Sequence, residues 1–307
     1  MKKAALLALA LIVIALLWAV PAFPGTIPAS VVPENARWVA HLDMEKFVAT
    51  KLYEYLEKDG TFRIKNRDAE RWLKLDFPKD ILGVTVFGFE AKTKDNTVVA
   101  VSGKFNRADL LAWLAMDEDH KEIAHGAYTI YSTDDDEYGA FVTDNLIVLS
   151  ESREAIQMAL DTAAGKTKNF AGTALSAALK EVPAGAFLSG VLPDLSGLGK
   201  EIGESKVLDQ ASGLFFLAQE KQDALLIRLQ VTAVSPESAK NMADVVQGLM
   251  AMGRMGGNEG DMARVAKILD GLQVKQDGKV LRIDFERPSR EIAELVSHQR
   301  GLHGLFD

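Results

Sequence analysis

The chain has 307 residues, 35 basic and 43 acidic side chains, a formal charge of −8 and no cysteine. That length and a 48% hydrophobic content give enough material for about two globular domains and exclude a chain disordered throughout. The acidic balance disfavours general nucleic-acid binding, and the missing thiols exclude disulfides, thiolate metal sites and cysteine nucleophiles.

Lys2 and Lys3 precede an unbroken apolar run from Ala4 to Val20, and Pro21 ends it before Ala22. A positive start, an apolar stretch and small residues at the end form the pattern of a secretory signal peptide over residues 1–22. A run this long also sits at the lower edge of what spans a bilayer, so an uncleaved anchor through residues 4–20 is the alternative. Both readings export the remainder, to the periplasm or the extracellular space, because the lysines stay inside.

After the leader, two stretches read alike. Val32-Pro33-Glu34-Asn35-Ala36 opens a strand to Leu42, and Val182-Pro183-Ala184-Gly185-Ala186 opens one to Leu192. A hairpin follows each: Val84–Phe89 with Thr97–Val101, then Leu214–Ala218 with Ala224–Val231. Helices come next, capped by Asn106 in the first stretch and by Ser235 with Pro236 in the second. Strands and a last helix close each part: Leu146–Leu149 before Ser152, and Val280–Ile283 before Ser289. The expected fold is therefore α+β, with two tandem pseudo-repeated units at 31–165 and 180–300. Each is a mostly antiparallel sheet with helices on one face, in the order β-α-β-β-α-β-β-α. Gly165–Gly172 reads as a linker or as a helix C-cap followed by a loop.

The Pro33 to Asp43 strand entering a Leu-Asp step, and Asp76-Phe77-Pro78-Lys79-Asp80-Ile81 leading to Val84-Thr85-Val86, resemble a loose group of secreted bacterial proteins of unknown function. The resemblance covers mainly the first half. It implies export and a fold, and it carries no catalytic residue.

The search for chemistry yields few suspects. Gly165-Lys166-Thr167 lacks the earlier glycine and the preceding strand of a phosphate loop. His41 and Asp43 lie two apart, so they share one strand face with Val39; the opposite face, Trp38, Ala40 and Leu42, is apolar. That places His41 and Asp43 on the less buried side. A dyad there needs a serine brought in by the fold, and a polar strand face or a turn-capping Asp43 is the simpler reading. His120 and His125, five apart on an extended segment, are the other imidazole suspects and a poor zinc pair. Asp134, Asp135, Asp136 and Glu137 occupy the tip of a hairpin expected between Ile123–Tyr131 and Gly139–Val142. They could hold a hard cation but lack EF-hand spacing, so a solvated turn is expected. Met250, Met252 and Met255 could offer soft sulfur to copper, although Met also fills cores.

No cofactor is implied. The expected function is that of an exported, non-catalytic binding or scaffold module for an unknown protein or small-molecule partner. It would not bind nucleic acid and would meet the membrane only through the N-terminal segment. A hydrolase with a dispersed site and a metal-handling protein are the alternatives.

Overall fold

The computed structural model describes residues 27–60, 79–89, 96–132, 137–195, 210–255 and 269–303. The expected leader, Asp134 to Asp136 and the Gly253–Gly260 loop beyond Met255 lie outside the described residues. Among the described residues, twelve strands form one antiparallel sheet. In chain order they are β1 (Trp38–Asp43), β2 (Ile81–Gly88), β3 (Thr97–Gly103), β4 (Lys121–His125), β5 (Tyr128–Ser132), β6 (Tyr138–Thr143), β7 (Leu146–Ser150), β8 (Ala186–Leu192), β9 (Ala211–Lys221), β10 (Ala224–Ala233), β11 (Leu272–Asp277) and β12 (Val280–Pro288). Across the sheet they run β11-β12-β10-β9-β8-β1-β2-β3-β7-β6-β5-β4. The described helices are α1 (Met44–Val48), α2 (Lys51–Lys58), α3 (Arg107–Leu114), α4 (Arg153–Ala163), α5 (Ala174–Leu179), α6 (Pro236–Met255) and α7 (Ser289–His303).

The α+β class is as expected, with a large antiparallel sheet, but the details differ in three ways. The first part contains seven strands, not five. Gly126, in the left-handed region at φ 60°, turns the chain between His125 and Tyr128, so the expected strand 123–131 is the hairpin β4–β5. The Pro-x-x-Ala segments are turns ahead of the strands: Ala36 N–H donates to Pro33 C=O at 3.1 Å, and Ala186 N–H to Pro183 C=O at 3.0 Å. Residues 168–170 are not a loose linker. Glu34 N–H donates to Lys168 C=O, Phe170 N–H donates to Val32 C=O, and Phe170 is buried. The cap readings hold: the side chains of Asn106 and Ser235 each accept a backbone N–H from the first turn of their helices, and Ser152, not read as a cap from the sequence, does the same for α4.

Strand register explains where the helices sit. Directly opposed residues point to the same face. One row crosses all twelve strands: Ile123, Ile130, Ala140, Val148, Ala100, Thr85, His41, Ser189, Leu217, Arg228, Asp284 and Gln273. It is apolar in the first part, polar at the β2-β1-β8 junction, and beyond Leu217 it carries the Arg228–Asp284 pair and Gln273. The apolar end is covered by α4 and α5 through Ile156, Leu160 and Leu175.

The neighbouring row, on the opposite face, runs the other way. Gly190, Phe216, Leu229, Ile283 and Val274 are apolar under α6, where Met242, Ala243, Val246 and Met250 meet them. Helices therefore cover opposite faces of the sheet in its two parts, because the apolar rows change face at the junction. This corrects the expectation of one helical face per unit, since α1 and α2 of the first part also lie on the α6 side.

A third cluster belongs to both parts. Leu42, Met44, Phe47, Leu52, Tyr53 and Leu56 pack with Phe187, Leu188, Ala218, Leu225, Phe285 and Ile292. Fully burying each large side chain is worth roughly 1.5–3 kcal/mol, so this shared cluster dominates the attachment of α2. A carboxylate directs it: Glu220 of β9 accepts the N–H groups of Lys51 and Leu52 at 2.9 and 3.0 Å, at the positive end of α2. Tyr55 reaches Asp223 in the adjoining turn, where Gln222 and Asp223 both adopt positive φ.

Two predictions follow from this packing. Glu220→Ala should cost about 1 kcal/mol in urea unfolding, with amide exchange accelerated at Lys51 and Leu52; an unchanged midpoint and unchanged exchange would refute the capping role. Gly190 lies under the Phe216 ring, with no room for a Cβ. Gly190→Val should destabilise by roughly 1–3 kcal/mol through overpacking, and a neutral result in the same assay would refute that packing.

Candidate functional site

The suspects from the sequence occupy three places. His41 lies mid-sheet on β1 and is buried, at 7% exposure. Its Nδ1 is 2.9 Å from Thr85 Oγ1 on β2, and Ser189 on β8 stands directly opposite on the other side. Thr85 is 0% and Ser189 6% exposed. The reading of this face as the less buried one is corrected: β1 is a central strand, and the row holding Val39 and His41 faces the interior.

Asp43 ends the strand as the N-cap of α1. Its Oδ1 accepts the Lys46 N–H at 2.9 Å, and its Oδ2 pairs with Lys46 Nζ at 2.7 Å. The capping alternative for Asp43 is the one observed. A hydroxyl, an imidazole and a second hydroxyl in a row have the composition of a nucleophile, a base and its orienting group. Here every member is almost fully enclosed, so a substrate would have to enter the sheet interior to reach them.

His120 and His125 sit at opposite ends of the β4 segment. His120 Nδ1 lies 2.8 Å from the carbonyl of Asp117. His125 Nε2 is 2.9 Å from Asp161 Oδ1 at the end of α4, and Lys166 Nζ is 2.7 Å from the same oxygen. The hydrogen bond from Lys166, ahead of that from His125, holds the Asp161 carboxyl below the usual aspartate range. This cluster fastens the β4–β5 turn to α4. β4 and β1 are six strands apart in the sheet order, with His125 bonded to Asp161 of α4 and His41 enclosed mid-sheet against Thr85, so the two imidazoles are held to different partners.

Of the acidic turn, Glu137 is described and exposed. Among the described residues, no group of three or more His, Cys, Asp or Glu could hold a metal ion. Met250 is buried in the α6 core, whereas Met252, two positions and about 200° further round the helix, is 59% exposed. The side chain of Met255 lies outside the described residues. Met250 and Met252 are therefore not directed at a common point.

Sequence reasoning missed Ser189, Thr85 and the Asp161–Lys166 pair. The signal for the first two was a hydroxyl residue inside an otherwise apolar strand, Phe187-Leu188-Ser189 and Val84-Thr85-Val86. It also missed Arg228, whose guanidinium binds Asp284 through Nε at 2.6 Å and Nη2 at 2.9 Å. That pair lies on the charged end of the sheet row and raises the Arg228 pKa. Gln219 Oε1, Arg282 Nε and Ser289 Oγ are buried with no hydrogen-bond partner among the described residues, but they belong to β9, β12 and the start of α7 and form no common site.

No family model matches the chain, and no curated protein matches it significantly. Solved structures of TP0453 are similar in fold. Crystal form III has a TM-score of 0.53 at 11% identity, covering 89% of this chain and 99% of that one. Form I gives 0.50 at 12%, covering 89% and 98%, and form IV 0.53 at 10%, covering 89% and 97%. At such identities the likeness shows the fold alone. Among the described residues, no helix is long and apolar enough to cross a membrane.

The Asp161 cluster has a signed pH consequence. Its folded carboxyl titrates below the unfolded one, so its contribution is present above about pH 4 and is lost as pH falls through the lowered value. Asp161→Asn should therefore lower the melting temperature near neutrality and narrow its deficit against the parent as pH drops below about 4. A deficit independent of pH would refute the ion-pair assignment.

Proposed function

We propose that this chain is an exported, non-catalytic binding or scaffold protein of the cell envelope, built from a duplicated strand-hairpin-helix unit. The observation that carries the non-catalytic reading is the employment of its suspect side chains. His41 bonds Thr85 inside the sheet, Asp43 caps α1, His125 pairs with Asp161, and His41 and His125 stand on strands six places apart in the sheet. General acid–base chemistry requires such groups within hydrogen-bond reach of one reacting atom.

The duplication is supported by the succession of strands. β1-β2-β3 and β8-β9-β10 are consecutive neighbours, and in each part a later strand, β7 or β12, returns to flank the third. Each set also begins with a Pro-x-x-Ala turn. Export is supported by the lysines and the apolar run of residues 2–20. A partner, protein or small molecule, is the role left for a large sheet whose suspect side chains do not converge among the described residues.

Two measurements test this reading. Deleting residues 4–20 should leave the protein in the cytoplasm, whereas the full chain should fractionate with the envelope or the medium; cytoplasmic retention of the full chain would contradict export. Purified full chain should hydrolyse no ester, peptide or phosphoester probe above buffer. Turnover that disappears in His41→Ala or Ser189→Ala would establish the hydrolase alternative instead.

A further inference from the structure

The helix α3 is unlike the others. Its sequence, Arg107 to Leu114, is followed by Ala115 and Met116, yet no residue of α3 is buried. Leu110, Leu111 and Leu114 are half-buried, Trp113 is 48% exposed and Met116 63%. By contrast, α4 buries Ala155, Ile156, Ala159 and Leu160 against the sheet. An apolar helix held this far out of the core keeps in water surface that burial would make favourable by about 25 cal/mol per Å², which marks it as a contact surface.

The local charges decide which contact. At the end of α3, Asp117, Glu118 and Asp119 are all exposed, and the last turn of the helix carries no basic residue. The negative end of the helix dipole adds to these carboxylates. At the other end Arg107 is occupied, 3.7 Å from Asp144 and 4.9 Å from the centre of the Phe141 ring. Anionic bilayer surfaces attract basic segments and repel this one.

We propose that α3 and Met116 form a docking surface for a protein partner with an apolar cleft rimmed by Lys or Arg. The apolar side chains would enter the cleft, and Asp117 to Asp119 would meet the basic rim, in the manner of a helix laid into a groove. This deepens the binding reading above and rests on it. A failure here would leave other surfaces available to a partner, whereas failure of that reading would appear as turnover.

The test uses the full chain and, as probe, a fluorescent amphipathic helix made only of Leu and Lys, with a Leu/Glu helix of the same pattern as control. Fluorescence anisotropy should show binding of the Leu/Lys helix and not of the control. Both Trp113→Ser with Met116→Ser and Asp117→Asn with Glu118→Gln and Asp119→Asn should weaken binding at least fivefold, with unchanged melting temperatures. Equal binding by either variant would overturn the proposal. So would a lowered melting temperature in the Trp113/Met116 variant, which would make the surface structural. Preferential, Trp113-dependent cosedimentation with phosphatidylcholine vesicles would overturn it in favour of a bilayer. A Trp113-dependent dimer in sedimentation would overturn it in favour of a second copy.

Discussion

The pairing of β1 with β8 is the constraint on which the rest of the molecule depends. Val39, Ala40, His41 and Leu42 of the first part bond in register to Val191, Gly190, Ser189 and Leu188 of the second. Without that ladder there would be two sheets, each ending in an open edge at a strand rich in apolar residues, and such edges pair indiscriminately. With it, the remaining edges are β4 and β11, short strands that carry Lys121 and Glu122, and Lys275 and Asp277. Charge on the outer strands and apolar side chains at the junction are what a large open sheet requires to remain unextended.

The same junction explains the placement of polar and apolar groups. Helical cover changes face there, so the strands beside it are enclosed from both sides. Side chains at the changeover must suit an interior without belonging wholly to either core. Thr85, His41 and Ser189 occupy that position, two hydroxyl residues and a histidine held by one of them. Buried polar groups are tolerated where they are hydrogen-bonded, and this row is better understood as part of the junction than as a reactive centre. The α2 segment completes it: chain from the first part lies over the second, held by apolar packing and oriented by Glu220.

Much of the local structure was legible in the sequence. Asn106 and Ser235 announce their helices because a short polar side chain ahead of an apolar stripe satisfies first-turn N–H groups. The hairpins at β2–β3 and β9–β10 are announced by polar turns between apolar runs. What could not be read was the face each strand buries. A strand's alternation has a period of two and names two sets of residues without saying which one a helix will cover. On β1 the set of Val39, His41 and Asp43 is the buried one, while Trp38 and Ala40 are half-buried, so the histidine assigned to the outer side belongs inside. Gly126 was legible as a turn residue only in hindsight, since the surrounding stretch from Ile123 to Tyr131 reads as one continuous strand. As for the candidate site, the individual histidines were legible, but their separation was not, because it depends on strand order across the sheet.

Native-state hydrogen exchange over the whole sheet tests this account most directly. If the two parts are one cooperative body joined at β1–β8, the slowest amides of β2, β3 and β7 should exchange with the same opening free energy as those of β9, β10 and β12, and calorimetry should show a single transition. Two distinct opening energies, with the amides of β1 and β8 exchanging ahead of both sets, would contradict it.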